Sequence, residues 1–142
     1  VVHNDVKLAN YCVGIWGQKR TQVKMLDFGL ATPSNGTITG LRGTLSYISP
    51  FVHVMLAPRP IDDVISLFYS WVSCFTPLPW ARLTDPEEVR SLKCTTGLKR
   101  LGELTQQSFL EKVGEHLETV CVQKHFREKN VPFDSLLELI SG

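Results

Sequence analysis

At 142 residues the chain is long enough for one domain with a real core, and its 43% hydrophobic content is that of a globular protein rather than a disordered one. Fifteen Lys and Arg against fourteen Asp and Glu leave a formal charge of +1. That balance leaves no footprint for nucleic acid or an anionic membrane surface, so neither is expected as a partner.

The chain opens on VVHNDVKLANYCV, where His3, Asn4, Asp5, Lys7 and Asn10 crowd between apolar ends. So many polar groups suit a solvated turn or a site better than an ordinary strand, and this stretch alone leaves both readings open. No secretory signal and no initiator Met are visible, and Val1 starts in mid-pattern, so the chain reads as a piece of something longer. In TQVKMLDFGLA, Val23, Met25 and Asp27 alternate with Lys24 and Leu26, a short strand that runs into a turn at Phe28-Gly29. Thr32 to Gly43 is rich in Gly, Ser, Thr, Asn and Pro without an apolar period, which predicts a mobile surface loop.

Helices follow. Ile61 to Phe75 is almost wholly apolar, the mark of a central buried helix, and TPLPW stops it. Its apolar run from Val64 to Phe75 is too short to span a bilayer. TDPEEVRSL begins another helix, with Asp85 as cap, Pro86 at the first helical position and two acids in the first turn. Leu110, Val113, Leu117, Val120 and Cys121 recur at three- and four-residue spacing on a further amphipathic helix, and Pro132 precedes a last one, Phe133 to Ile140. Cys12, Cys74, Cys94 and Cys121 lie far apart without a C-x-x-C pair, three of them in apolar surroundings. Reduced thiols in a cytoplasmic or nuclear protein fit that pattern.

H-x-D-x-K-x-x-N at His3 to Asn10, D-F-G at Asp27 to Gly29, GTLSYISP at Gly43 to Pro50 and DDVISLFY at Asp62 to Tyr69 form an ordered series. The series resembles the carboxy-terminal lobe of a protein kinase. The wording of DDVISLFYSWVSCFTPLPW is similar to the casein kinase 1 group and, within it, the tau-tubulin kinases; the resemblance thins after Leu92. It implies a protein kinase-like α+β fold represented by its mainly α-helical C-terminal lobe, with residues 1–142 a partial kinase domain. The catalytic loop would be 3–10, the metal-binding loop and activation segment 27–50, and the helical subdomain 61–140. The implied activity is that of a serine/threonine protein kinase, which passes the γ-phosphate of ATP to a Ser or Thr hydroxyl of a protein substrate.

Such chemistry needs a carboxylate placed to receive or orient the hydroxyl proton, and Asp5 matches the family's catalytic aspartate. The triphosphate must be neutralised by Mg²⁺, a hard cation that prefers oxygen, and Asn10 and Asp27 match the two metal-binding side chains. Lys7 resembles the lysine aimed at the transferred phosphate, and Thr44 the activation-segment threonine that contacts it. Tyrosine kinases usually lack this lysine, which implies Ser and Thr acceptors. The resemblance assigns structural support to His3 and Phe28, as a stacked apolar column beneath the site. Asp63 matches a buried aspartate that holds the catalytic-loop backbone, since a buried carboxylate needs hydrogen-bond donors such as loop amides. Trp80 is expected to pack, and Gly29 to permit an unusual backbone conformation at the metal loop.

The departures from the family matter too. Asn4 stands where an Arg usually lies between His and Asp, which weakens the case for phosphate-driven ordering of the activation segment. Ser46 stands where the group commonly has an Arg that reads acidic or phosphorylated substrates, while Arg42 survives, and the segment from Asp27 to Gly43 is short. No G-x-G-x-x-G loop and no V-A-I-K-like lysine occur in the 142 residues. The N-terminal lobe, the nucleotide's upper lid, is therefore absent from these 142 residues. A second reading is a catalytically silent kinase-like binding or scaffold module.

Overall fold

A computed structural model describes residues 1–14, 22–34, 40–54 and 57–122 of the chain. Its polar opening stretch forms no strand. Val2 exchanges two backbone hydrogen bonds with Thr32, at 2.8 and 2.9 Å, and the chain then winds through a single 3₁₀ turn, Leu8–Asn10. β1, Tyr11–Val13, pairs antiparallel with β2, Val23–Met25, with Tyr11 opposite Met25 and Val13 opposite Val23. The second strand is shorter than the alternation through Asp27 implies. Leu26 N–H still reaches the Asn10 carbonyl at 2.7 Å, but Asp27 takes a φ of 59° and leaves the ladder. The expected loop from Thr32 onward is pinned at its first residue by the bridge to Val2; residues 35–39 lie outside the described residues, as does the helix expected over Phe133 to Ile140.

The helical part is built around its apolar spacing. Ser49 caps α1, Pro50–His53, by accepting the Val52 N–H. Then α2, Pro60–Ser73, starts on a proline and carries Asp62 and Asp63 in its first turn, where carboxylates meet the unpaired amides and positive end of the helix. Ile61, Ile65, Phe68, Tyr69 and Val72 are buried on it, while Val64, Leu67 and Trp71 are half-buried, so α2 is central on one broad face. It ends earlier than expected, and Cys74 and Phe75 are exposed beyond it. Asp85 accepts the Glu87 and Glu88 amides at 3.0 and 2.9 Å and opens α3, Pro86–Thr96, as its cap chemistry dictates.

Gly97, at a φ of 72°, makes the corner into α4, Leu98–Leu104, and α5, Ser108–Val122, lays Leu110, Val113, Leu117 and Val120 on the core. These two helices cross almost in backbone contact. A Cβ on Gly102 would lie 2.4 Å from the Leu110 carbonyl oxygen, and one on Gly114 2.4 Å from that of Leu98. Trp80 is buried against Tyr69, ring centroids 5.1 Å apart. The four cysteines form no disulfide with one another; Cys12 and Cys121 are half-buried, but Cys74 and Cys94 are exposed, so fewer sit in apolar surroundings than the sequence implies. Among the described residues no helix is long and apolar enough to cross a membrane.

Candidate functional site

The His3–Asn10 loop hangs from the first turn of α2. Asp63 accepts the His3 N–H at 2.6 Å on one carboxylate oxygen and the Asn4 N–H at 2.9 Å on the other. Burial pushes its carboxyl above the ordinary value, and the two amide bonds bring it only part of the way back. Asn4 takes a φ of 67°, a left-handed conformation that asparagine tolerates better than most residues. Its side-chain NH₂ donates to the Leu30 carbonyl at 2.8 Å and to Thr32 Oγ1 at 2.9 Å, with a longer contact to the Val2 carbonyl at 3.3 Å. A neutral amide thus ties the opening loop to the chain beyond Gly29.

Asp5, Lys7 and Thr44 meet in one cluster. Asp5 Oδ1 accepts the Thr44 hydroxyl at 2.6 Å and the Thr44 N–H at 3.1 Å, while Oδ2 lies 2.9 Å from Lys7 Nζ. Lys7 also donates to Thr44 Oγ1 at 2.8 Å. The side chains of Asp5 and Lys7 keep 11% and 26% of their surface accessible, enough for a reactant to reach both. Burial pushes the Asp5 carboxyl up, but the bonds from Thr44 and Lys7, the Lys7 charge and the bond from Asn10 outweigh it and hold Asp5 below the ordinary carboxylate value. Asp5 is therefore an anion at neutral pH. Gly43 makes the approach possible: its φ is 92°, and a Cβ there would lie 2.3 Å from the Asn4 carbonyl oxygen.

Asn10 is buried beside this cluster, its NH₂ donating to the Asp5 carbonyl oxygen at 2.8 Å and to Asp5 Oδ2 at 3.2 Å. That commits its nitrogen and leaves the carboxamide oxygen as the end suited to a cation. Asp27 follows directly on the Leu26–Asn10 hydrogen bond, its exposed carboxylate accepting the Gly29 N–H at 3.2 Å. Among the described residues no three His, Cys, Asp or Glu side chains gather as a metal site. Two oxygen donors on adjoining elements fit Mg²⁺, which keeps several waters and shares phosphate oxygens rather than using an all-protein cage.

Two structural-support expectations need correction. Gly29 does not adopt a positive φ; the left-handed residue is Asp27 itself, and the role of Gly29 is closeness, since a Cβ would lie 3.1 Å from Asp27 Oδ1. Phe28 meets the His3 ring edge-on at 4.9 Å, yet it is 59% exposed, because His3 covers only one of its sides. His3 is buried and polar in its bonding: Nε2 lies 3.0 Å from the Leu26 carbonyl oxygen, and Nδ1 accepts the Asp5 N–H at 3.3 Å.

Sequence reasoning missed a second polar cluster on the far side of the Thr44 segment. Lys93, on α3, is 2% exposed and has no carboxylate partner among the described residues. Its Nζ lies 2.8 Å from the Leu45 carbonyl oxygen, 2.7 Å from that of Ile48 and 3.1 Å from His53 Nε2. The Tyr69 and Trp80 ring centroids are each 5.4 Å away. Trp80 Nε1 in turn donates to the Ser46 carbonyl at 2.8 Å. Burial pushes Lys93 down to about 7, and burial with the charges of Lys93 and Arg90 pushes His53 down to about 4. Asp62 was missed as well: Ser49 Oγ–H donates to it, Arg59 N–H reaches it at 2.8 Å, and burial raises its carboxyl despite both. The neighbouring aspartates thus serve different segments. A lone lysine in VRSLK carries no sequence signal of burial; the Asp62-Asp63 pair at a helix start carries one.

Comparison with known proteins gives the same direction as the motifs. No family model matches the chain. It is 36% identical over 121 residues to a Caenorhabditis elegans protein whose name assigns it to casein kinase I, covering 78% of this chain and 34% of that protein. A Dictyostelium discoideum protein named as a serine/threonine-protein kinase is 32% identical, over 65% of this chain and 21% of its own. A second Caenorhabditis elegans protein named as a serine/threonine-protein kinase is 34% identical, over 61% and 29%. The chain spans about a third or less of the length of these curated relatives. Together these likenesses support the protein kinase family for this α-rich chain with its small two-stranded sheet.

Proposed function

We propose that the chain is the carboxy-terminal lobe, a partial kinase domain, of a serine/threonine protein kinase of casein kinase 1 type, closest in character to the tau-tubulin kinases. The observation that carries this reading is the Asp5–Lys7–Thr44 cluster, an ionised carboxylate and an ammonium held side by side at an accessible surface. Asp5 orients the acceptor Ser or Thr hydroxyl and takes its proton as the new O–P bond forms, while the bond from the γ-phosphorus to the bridging oxygen of ATP breaks and ADP leaves with that electron pair. Lys7 stands against the charge on the transferred phosphoryl group, and Thr44 fixes Asp5 from the acceptor side. Asn10 and Asp27 would hold Mg²⁺, which neutralises phosphate charge when ATP is bound. The thiols of Cys12, Cys74 and Cys94, outside any disulfide among the described residues, support a cytoplasmic or nuclear setting.

The test is phosphate transfer from Mg²⁺-ATP to Ser, Thr and Tyr peptides by the full-length protein that carries these residues. Incorporation into Ser and Thr peptides that drops at least about a hundredfold in Asp5→Asn supports the reading. Incorporation no greater than that of Asp5→Asn refutes it in favour of a silent binding module. The 142 residues alone contain no Gly-rich loop or strand lysine and are expected to incorporate little or no phosphate.

A further inference from the structure

The segment from Thr44 to Ile48 is gripped from two sides. On one side Thr44 bonds Asp5 through both its N–H and its hydroxyl. On the other, the carbonyls of Leu45, Ser46 and Ile48 are all taken by side chains of the helical part, two by Lys93 and one by Trp80. A buried ammonium without an anion is unfavourable, and an apolar residue of the same length would fill the space more cheaply. Here each of its three hydrogens has an acceptor: two carbonyls and His53 Nε2. His53 can accept because burial and the nearby cationic side chains of Lys93 and Arg90 keep its ring neutral. The arrangement is complete, and it points at the backbone of one segment.

We propose that Lys93 is a positioning residue, which by fastening the Leu45 and Ile48 carbonyls sets Thr44 against Asp5 and so shapes the surface that receives the acceptor peptide. Only the last clause rests on the kinase reading. If Lys93 merely filled the core, its loss would loosen the whole helical part; if it positions the segment, its loss acts on Thr44 first.

Amide hydrogen exchange of the 142-residue chain, read by NMR, separates the two. The Thr44 N–H, bonded to Asp5, is compared with that of Leu117 in the middle of α5. Lys93→Met keeps the length of the side chain and removes the donors, leaving two carbonyls unpaired. Thr44 exchange is expected to rise about tenfold or more while Leu117 stays within about twofold. Lys93→Arg, which keeps a cation and its N–H donors between the two rings, is expected to return Thr44 to within about threefold of the parent. Thr44 exchange unchanged in Lys93→Met, or rising in step with Leu117, overturns the proposal. Should the methionine variant fail to fold, Lys93→Gln is judged by the same amides and the same criteria. A full-length protein without kinase activity would overturn the functional reading and leave this result standing.

Discussion

Removing the Asp63 carboxylate tests whether the opening loop depends on its suspension from α2. Asp63→Ala leaves the His3 and Asn4 amides, now bonded at 2.6 and 2.9 Å, without a partner. Each orphaned buried N–H costs about 1–3 kcal/mol, so the loss for the two is about 2–6 kcal/mol, less whatever is regained by no longer burying a carboxylate. The direction with pH follows from the raised Asp63 carboxyl: the folded protein holds this proton more tightly than the unfolded chain. Its stabilising contribution is therefore greatest below the ordinary value of 3.8 and is lost as pH rises through the raised folded value. The gap between parent and Asp63→Ala should narrow as pH rises from acid toward neutral. Urea denaturation at several pH values measures the gap, and exchange at the His3 and Asn4 amides shows whether the loss is local. A loss below about 1 kcal/mol at every pH, or a gap that widens toward neutral pH, would refute the reasoning.

Lys93 predicts the opposite trend. A lysine brought from 10.5 to about 7 by burial makes stability rise with pH across that interval, by at most about 5 kcal/mol, and Lys93→Met should remove the rise in a urea series. Gly114→Ala should lower stability by about 1–3 kcal/mol, read as a fall in Tm, because its Cβ meets the Leu98 carbonyl oxygen, a backbone atom that cannot swing aside. In an active full-length form, phosphatase treatment should leave the rate nearly unchanged, since Asn4 cannot make the bidentate phosphate contact of an arginine; a large loss restored by rephosphorylating Thr37 or Thr39 would count against this. In the same form Ser46→Arg should raise kcat/KM for phosphorylated over plain peptides by about 1–3 kcal/mol, and a parent that already shows that preference would shift the role to Arg42.

The parts of this molecule written in local chemistry were legible in its sequence. Asp85-Pro86 announces α3 because cap and first turn lie within a few residues of each other, and the apolar run from Ile61 announces α2 because its burial is nearly continuous. Asp5, Lys7, Asn10 and Thr44 are picked out as a set by the resemblance of their motifs to those of protein kinases, and they meet in space. The misses are the features that only packing decides. α4 is seven residues long, too short for a period, and exists because Gly102 and Gly114 let it lie on α5. Lys93 reads as a surface residue, and nothing near it in sequence reveals that Leu45 and Ile48 will present their carbonyls to it. Phe28 was expected inside, and its exposure depends on what lies over the loop rather than on the D-F-G wording.

The uncharged amide of Asn4 also sets how this loop responds to its ionic surroundings. A segment held by guanidinium and phosphate is held by opposite charges, and dissolved salt weakens that attraction wherever solvent reaches it. The bonds from Asn4 to the Leu30 carbonyl and Thr32 Oγ1 join neutral dipoles over contact distances, where a diffuse ion atmosphere has little to screen. The chain leaving the D-F-G turn is thereby anchored by a contact that dissolved salt does little to weaken.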